Sequence, residues 1–193
     1  MVIPVVDSFY CHSPVVANLM LILSLSSNSM LRHKSLIPLS HQHQHALALC
    51  VRLERAIQAG KVDLEAWQAE IQQHFELEIS VHFAAEEKAL FPSVARVADL
   101  EVLARELLAE HKVLRAFFAK AKLRQLDVNE LGDFGKTLSA HIRKEERQLF
   151  ESIQRSMQPA ELTLLGENLE KALVEASQAC LLPSETTKLR PRN

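Results

Sequence analysis

The sequence predicts an all-α fold: an up-down-up-down antiparallel four-helix bundle with an extra C-terminal helix. Three observations lead there. Leu, Ala, Glu, Gln, Lys and Arg are abundant, while only four glycines and one tyrosine occur in 193 residues, a bias towards helix formers. Apolar residues recur at spacings of three and four along several stretches, the pattern of one buried helical face. The breaks between those stretches are short, which favours antiparallel neighbours. A composition 48% hydrophobic and 24% charged is that of a globular domain able to build a core. The length suits one domain with tails.

The elements follow in order. Ser40 is a candidate N-cap after Pro38 and Leu39, opening a first helix from about His41 to Ala59 that stops at Gly60. Asp63 caps a second, long helix with the stripe Ile71, Phe75, Ile79, His82, Glu86, Leu90, which Pro92 kinks or ends. Asp99 caps a third, with Leu100, Leu103, Leu107, His111, Leu114 and Phe118. A turn near Gln125 to Asn129 leads to a fourth, with Leu131, Phe134, Leu138, His141, Glu145 and Leu149. Pro159 suits the first turn of a fifth helix, about Ala160 to Ala179, carrying Leu162, Leu165, Leu169 and Leu173 and packing outside the bundle.

We expect residues 1–35 to be a poorly ordered leader, 36–157 the bundle, 158–181 the additional helix and 182–193 a disordered tail. Val15 to Leu25 is apolar but too short for a membrane span. No Lys or Arg precedes it, so a secretory signal is not expected. Met30 reads as a natural start, which would make residues 1–29 an extension. The net charge of -2 leaves no basic footprint for nucleic acid. Cys11, Cys50 and Cys180 form neither a disulfide framework nor a CxxC site, so a reducing cytoplasmic setting is expected, with Cys50 a small core residue. There is no Gly-rich phosphate loop, GxSxG motif or repeat array.

One pattern carries chemistry. His82-Phe-Ala-Ala-Glu86-Glu87-Lys-Ala-Leu90-Phe91 returns as His141-Ile-Arg-Lys-Glu145-Glu146-Arg-Gln-Leu149-Phe150. On a helix, residues four apart share a face, so each copy offers an imidazole and a carboxylate to one point. His82, Glu86, His111, His141 and Glu145 fall in line with the apolar residues of their own helices. A glutamate in such a position costs on the order of several kcal/mol unless its charge is paired or bound to metal. A pair of cations in the bundle centre explains all five, with two carboxylates bridging and imidazoles filling further positions. The first helix offers His41, His43 and His45. His43 shares a face with Leu47, Cys50 and Ile57, while His45 lines up with Leu49 and Leu53 and competes with it. Glu87 and Glu146, one position round the helix, either support the ligands or replace their neighbours. His74 is a surface or supporting group, and His12 and His33 fall in the leader. For one copy alone, the plain alternative is a solvated i,i+4 pair.

The chain resembles the hemerythrin-like, or HHE cation-binding, domains from about Leu36 to Met157. The likeness rests on Leu39-Ser40-x-x-His43, His82-Phe-x-x-Glu86-Glu87-x-x-Leu-Phe-Pro92, Glu110-His111-x-x-Leu114 and His141-Ile-x-x-Glu145-Glu146-x-x-Leu-Phe150. It implies a four-helix bundle holding two non-haem iron ions, oxo- or hydroxo-bridged in some states. It implies His43, His82, Glu86, His111, His141 and Glu145 as metal ligands. It also implies binding or sensing of oxygen, nitric oxide or iron. In the oxygen carriers a second histidine follows the third-helix ligand by four residues. Here Arg115 stands there, which weighs against reversible oxygen carriage and leaves a gap that Glu78 or Glu110 could fill. No acid–base set separate from the ligands is visible, so binding or sensing is favoured over a di-iron oxidase, peroxidase or repair enzyme. A metal-free structural bundle is the third reading. A sensor would act through a partner protein.

Overall fold

The computed structural model describes residues 31–95 and 98–181. The readings of the leader before residue 31, Cys11 and His12 included, and of the tail after residue 181 lie outside the described residues. So do the side chains of Asp99 and Cys180. The described elements are all helical.

A short 3₁₀ turn, Lys34–Leu36, leads into α1, Ile37–Gln58. The helix starts four residues before the expected His41, because Pro38 is tolerated in a first turn that needs no N–H. Ser40 is therefore inside α1 and does not cap it; its hydroxyl donates to Glu146 Oε1 at 2.7 Å. α1 ends where expected. Gly60 takes φ 63°, and the N–H groups of Gly60 and Lys61 close onto the Ile57 and Ala56 carbonyls at 3.0 Å.

α2 covers 64–94 and opens on Asp63, whose carboxylate accepts from the Ala66 N–H at 3.0 Å. It runs two residues past Pro92. α3 is Ala98–Lys122. α4 covers 128–156 and opens on a capping box: Glu130 N–H donates to Asp127 Oδ1 at 2.8 Å, and Asp127 N–H to Glu130 Oε2 at 3.2 Å. α5 is Pro159–Leu181.

Sequence periodicity reads α2 and α4 as plain α-helix, but both contain wide π turns: Phe75–Ile79 and Glu86–Leu90 in α2, Glu145–Leu149 in α4. The Phe91 and Phe150 N–H groups reach back five residues to the Glu86 and Glu145 carbonyls. The cause is in the spacing. His82, Glu86, Leu90, Val94 and His141, Glu145, Leu149, Ile153 are unbroken steps of four. Each such step overshoots an α-helical turn by about 40°, so the stripe would wind out of the core. A wide turn absorbs the drift, and all eight residues are at most 4% exposed.

Neighbouring helices run antiparallel. His82 meets Gln42 while Glu70, earlier in α2, meets Arg52, later in α1. Phe91 and Phe75 lie near His111 and Phe118. Glu110 meets Lys144, and Lys120 meets Glu130. His43 meets Glu146 while Leu53 Cδ2 lies 3.6 Å from where a Cβ on Gly135 would stand. The bundle buries two apolar clusters. One holds Leu49, Leu53, Ile71, Phe118, Phe134 and Leu138, with Cys50 a buried free thiol. The other holds Leu36, Leu39, Leu90, Leu107, Leu149 and Phe150. Between them each of α1 to α4 places polar residues: His43, His82 and Glu86, His111, and His141 and Glu145.

α5 adds Leu162, Leu165 and Leu169 to the second cluster, with Leu173 half-buried against it. Gly166 lets it approach: a Cβ there would lie 2.8 Å from Ser35 Cβ and 3.2 Å from Ser35 Cα. Gly166→Ala is expected to destabilise the chain by roughly 1–3 kcal/mol through forced displacement of the 3₁₀ turn, read as a lowered urea midpoint. An unchanged midpoint would show that the turn yields freely.

Candidate metal centre

His43, His82, His111 and His141 are 0–4% exposed, and Glu86 and Glu145 are both 0% exposed. They fall into two groups whose donor atoms lie within 4.8 Å of one another: His43, His82, Glu86, Glu145, and Glu86, His111, His141, Glu145. The two carboxylates belong to both. Glu86 turns Oε1 to His82 Nε2 at 3.2 Å and Oε2 to His111 Nε2 at 3.3 Å. Glu145 turns Oε2 to His43 Nε2 at 3.0 Å and Oε1 to His141 Nε2 at 3.3 Å. Each carboxylate thus spans two positions, and each position faces two imidazoles.

The outer ring nitrogens are all occupied. His43 Nδ1 lies 2.7 Å from Glu146 Oε1, His82 Nδ1 2.8 Å from Gln42 Oε1, His111 Nδ1 2.8 Å from Glu87 Oε1 and His141 Nδ1 2.8 Å from Glu110 Oε2. These oxygens only accept, so each Nδ1 carries the proton and donates. Each Nε2 then presents a lone pair to the centre, the orientation that metal-binding histidines need. The acceptors form a closed ring, in which α1 orients the imidazole of α2, α2 that of α3, α3 that of α4, and α4 that of α1.

This arrangement requires positive charge in the middle. Both oxygens of Glu86 and of Glu145, and the Nε2 atoms of His111 and His141, are buried without a hydrogen-bond partner. The Nε2 lone pairs of His43 and His82 face each other at 3.0 Å, a repulsion that only a cation or proton relieves. Burial pulls His43 down, but Glu145 and Glu146 outweigh it and lift the imidazole to about 10. Burial likewise opposes His111, and Glu86 and Glu87 lift it to about 9. Burial raises the Glu86 carboxyl, yet His82 and His111 hold it well below the ordinary range. The His141 Nδ1–H, helped by Lys144, holds Glu110 at about 2. Bridging carboxylates with inward imidazoles are a donor set for a pair of borderline transition metals.

A family model decides what this set belongs to. The Hemerythrin HHE cation binding domain model matches residues 38–153. The chain belongs to that family. No curated protein and no solved structure matches the chain.

In this HHE domain the six side chains expected from the sequence converge, and the two first-helix candidates separate. His43 joins the group, while His45 is 66% exposed and pairs with Glu78 at 2.9 Å. His41 is exposed. Glu78 and Glu110 do not enter the cluster: Glu110 holds His141, and Glu78 holds His45. Glu87 and Glu146 orient the imidazoles of neighbouring helices. Arg115 does not reach the centre; its guanidinium donates to Glu87 at 2.6 Å and lies 5.3 Å over the Phe83 ring. His33 Nδ1 accepts from the Ser35 N–H and caps the 3₁₀ turn.

Sequence reasoning missed Gln42, and it missed the clamp of Arg32 on Glu146 at 2.5 Å. One signal was available. Gln42-His43 and Glu110-His111 repeat the same order, as do Glu86-Glu87 and Glu145-Glu146, so α1–α2 and α3–α4 are related by a pseudo-two-fold. Glu87→Ala frees His111 Nδ1 and is expected to weaken metal binding about 10- to 100-fold, measured by competition with a chelator. Unchanged affinity would show that the Phe83 ring, stacked 3.7 Å from His111 between centroids, orients the imidazole alone.

Proposed function

We propose that the chain binds two iron ions in a non-haem dinuclear centre and uses it to bind or sense a small ligand, oxygen or nitric oxide, or iron itself. The observation that carries this reading is the sharing of both buried carboxylates between two imidazole pairs. His43 and His82 would hold one ion, His111 and His141 the other, with Glu86 and Glu145 bridging. Bound there, the irons would supply redox and ligand-binding chemistry.

The protein groups around them do the rest. The Nδ1 acceptors fix the rings, and apolar walls limit access. A cavity of about 10 Å³ touches His43, His82, His141 and Glu145 and is lined otherwise by Ala46, Ile79, Phe83, Leu138 and Ile142 with Gln42 and Glu78. That is the scale of a single water, which suits a diatomic ligand. A groove of about 450 Å³ between α1 and α4, around Cys50, Gly132 and Gly135, is lined by none of the clustered groups. Among the described residues no helix is long and apolar enough to cross a membrane.

The test is metal content by mass spectrometry on protein made with iron supplied, with an absorption spectrum under and without oxygen. About two irons per chain are expected, consistent with a dinuclear site, together with a reversible spectral change. His82→Ala should lower bound iron sharply, and His74→Ala should not. Equal iron in both variants would refute the assignment, and turnover of peroxide would favour an enzyme.

A further inference from the structure

We infer that His45, Glu78 and His74 form a transfer station through which metal ions enter and leave the buried centre, an inference that rests on the dinuclear reading.

The clustered residues are at most 4% exposed, so an ion must cross protein to reach them. The small cavity against His43, His82 and Glu145 has Ala46, Ile79, Phe83, Leu138 and Ile142 in its wall, which offer a cation no donor. A dication gives up its water only where nitrogen or oxygen donors replace it. The polar groups on that wall outside the cluster are Gln42 and Glu78. The Gln42 amide oxygen is committed to His82. Glu78 remains as the charged group.

On its outer side Glu78 meets two imidazoles. His45 Nδ1 lies 2.9 Å from Oε1, and His74 Nδ1 lies 3.8 Å from Oε2. The second distance is too long for a hydrogen bond and short enough for one cation to bridge. Exposure falls from 66% at His45 to about 20% at Glu78 and His74, so the three groups lead from solvent to the cavity wall. Two imidazoles and a carboxylate suit a divalent transition metal. They are gathered less tightly than the central set, as a site of passage requires.

The backbone points the same way. The chain has three wide turns among its described residues, and two of them begin at Glu86 and Glu145. The third, Phe75–Ile79, holds no residue of the centre, and it carries Glu78. Such turns often mark functional places. The nearby Arg52 does not block the approach: it pairs with Glu70 and lies over the Trp67 ring.

The test compares full-length wild type with Glu78→Gln and, separately, His45→Ala, with His41→Ala as control and cobalt(II) alone as the probe. Uptake is followed by absorption in stopped flow, and release by excess chelator from the loaded protein. Glu78→Gln should reach the same cobalt per chain as wild type. Its uptake should be roughly 10- to 100-fold slower, within the roughly 10- to 1000-fold by which a charged cleft speeds association, and its release slower by the same factor. His45→Ala should show the same pattern more weakly. Equal rates in variant and wild type would overturn the inference. So would faster release with lower occupancy, which would make Glu78 a support of the centre itself. If wild type binds no metal, the dinuclear reading falls first, and the wild-type arm shows which has failed.

Discussion

Glu86→Ala protein should lose both metal ions together. Glu86 gives one oxygen to each position, 3.2 Å from His82 Nε2 and 3.3 Å from His111 Nε2. Its removal takes an anionic donor from both ions at once and leaves the His43–His82 lone-pair contact of 3.0 Å unshielded. Loss of a group that merely orients a ligand costs about 10- to 100-fold in affinity, so loss of a shared ligand should cost more than about 100-fold at each position. His82→Ala, by contrast, strips one donor from one position and should leave a partly occupied chain. Metal per chain by mass spectrometry separates the two, with helical content checked by circular dichroism. A Glu86→Ala protein that keeps one tightly bound ion would show that the carboxylate serves a single position. Glu145→Ala should behave as Glu86→Ala does, because the two residues are related by the pseudo-two-fold.

Removing the metals should lower the melting temperature, by an amount that grows as the pH rises from about 6 to 9. Binding at a thousand times the dissociation constant adds about 4 kcal/mol per site. For a domain of this size one kcal/mol moves the melting point by about 2–4 °C. A loss of at least about 8–16 °C is therefore expected on chelation. The pH dependence follows from the imidazoles. In the metal-free fold His43 and His111 are raised to about 10 and about 9. A raised imidazole stabilises the fold fully below its unfolded value of about 6.5, and that contribution is lost as pH climbs through the folded values. The metal-bound form moves oppositely, because cations bind only deprotonated imidazole and gain affinity as pH rises. Melting curves of loaded and stripped protein at pH 6, 7.5 and 9 test the widening gap. A gap that narrows would mean that the imidazoles do not compete for protons and metal at one place.

Much of the fold was legible. Asp63 caps α2, Gly60 ends α1, and Pro159 opens α5, all through local chemistry that one turn of chain contains. The six candidate ligands were legible for a related reason: a histidine or glutamate in an apolar stripe is an energetic anomaly visible without coordinates. Ser40 misled because it has the right residue type two positions after a proline, while the helix had already begun at Ile37. The π turns were hidden in the distinction between alternating steps and unbroken steps of four.

The sequence by itself pointed to most of the residues that are buried against their chemical preference, because burial follows the period of the helix; Gln68, also buried, was not among them. It therefore named His43, His82, Glu86, His111, His141 and Glu145, though it left His45 standing beside His43. Only the tertiary structure brings His43 into the cluster and leaves His45 at the surface, and only it paired each Nδ1 with its acceptor: Gln42, Glu87, Glu110 and Glu146 each act on a different helix from their own. Spacing along one chain orders residues on a face, whereas the packing of four faces sets which atoms meet. The charge that those atoms jointly require appears only where the helices come together.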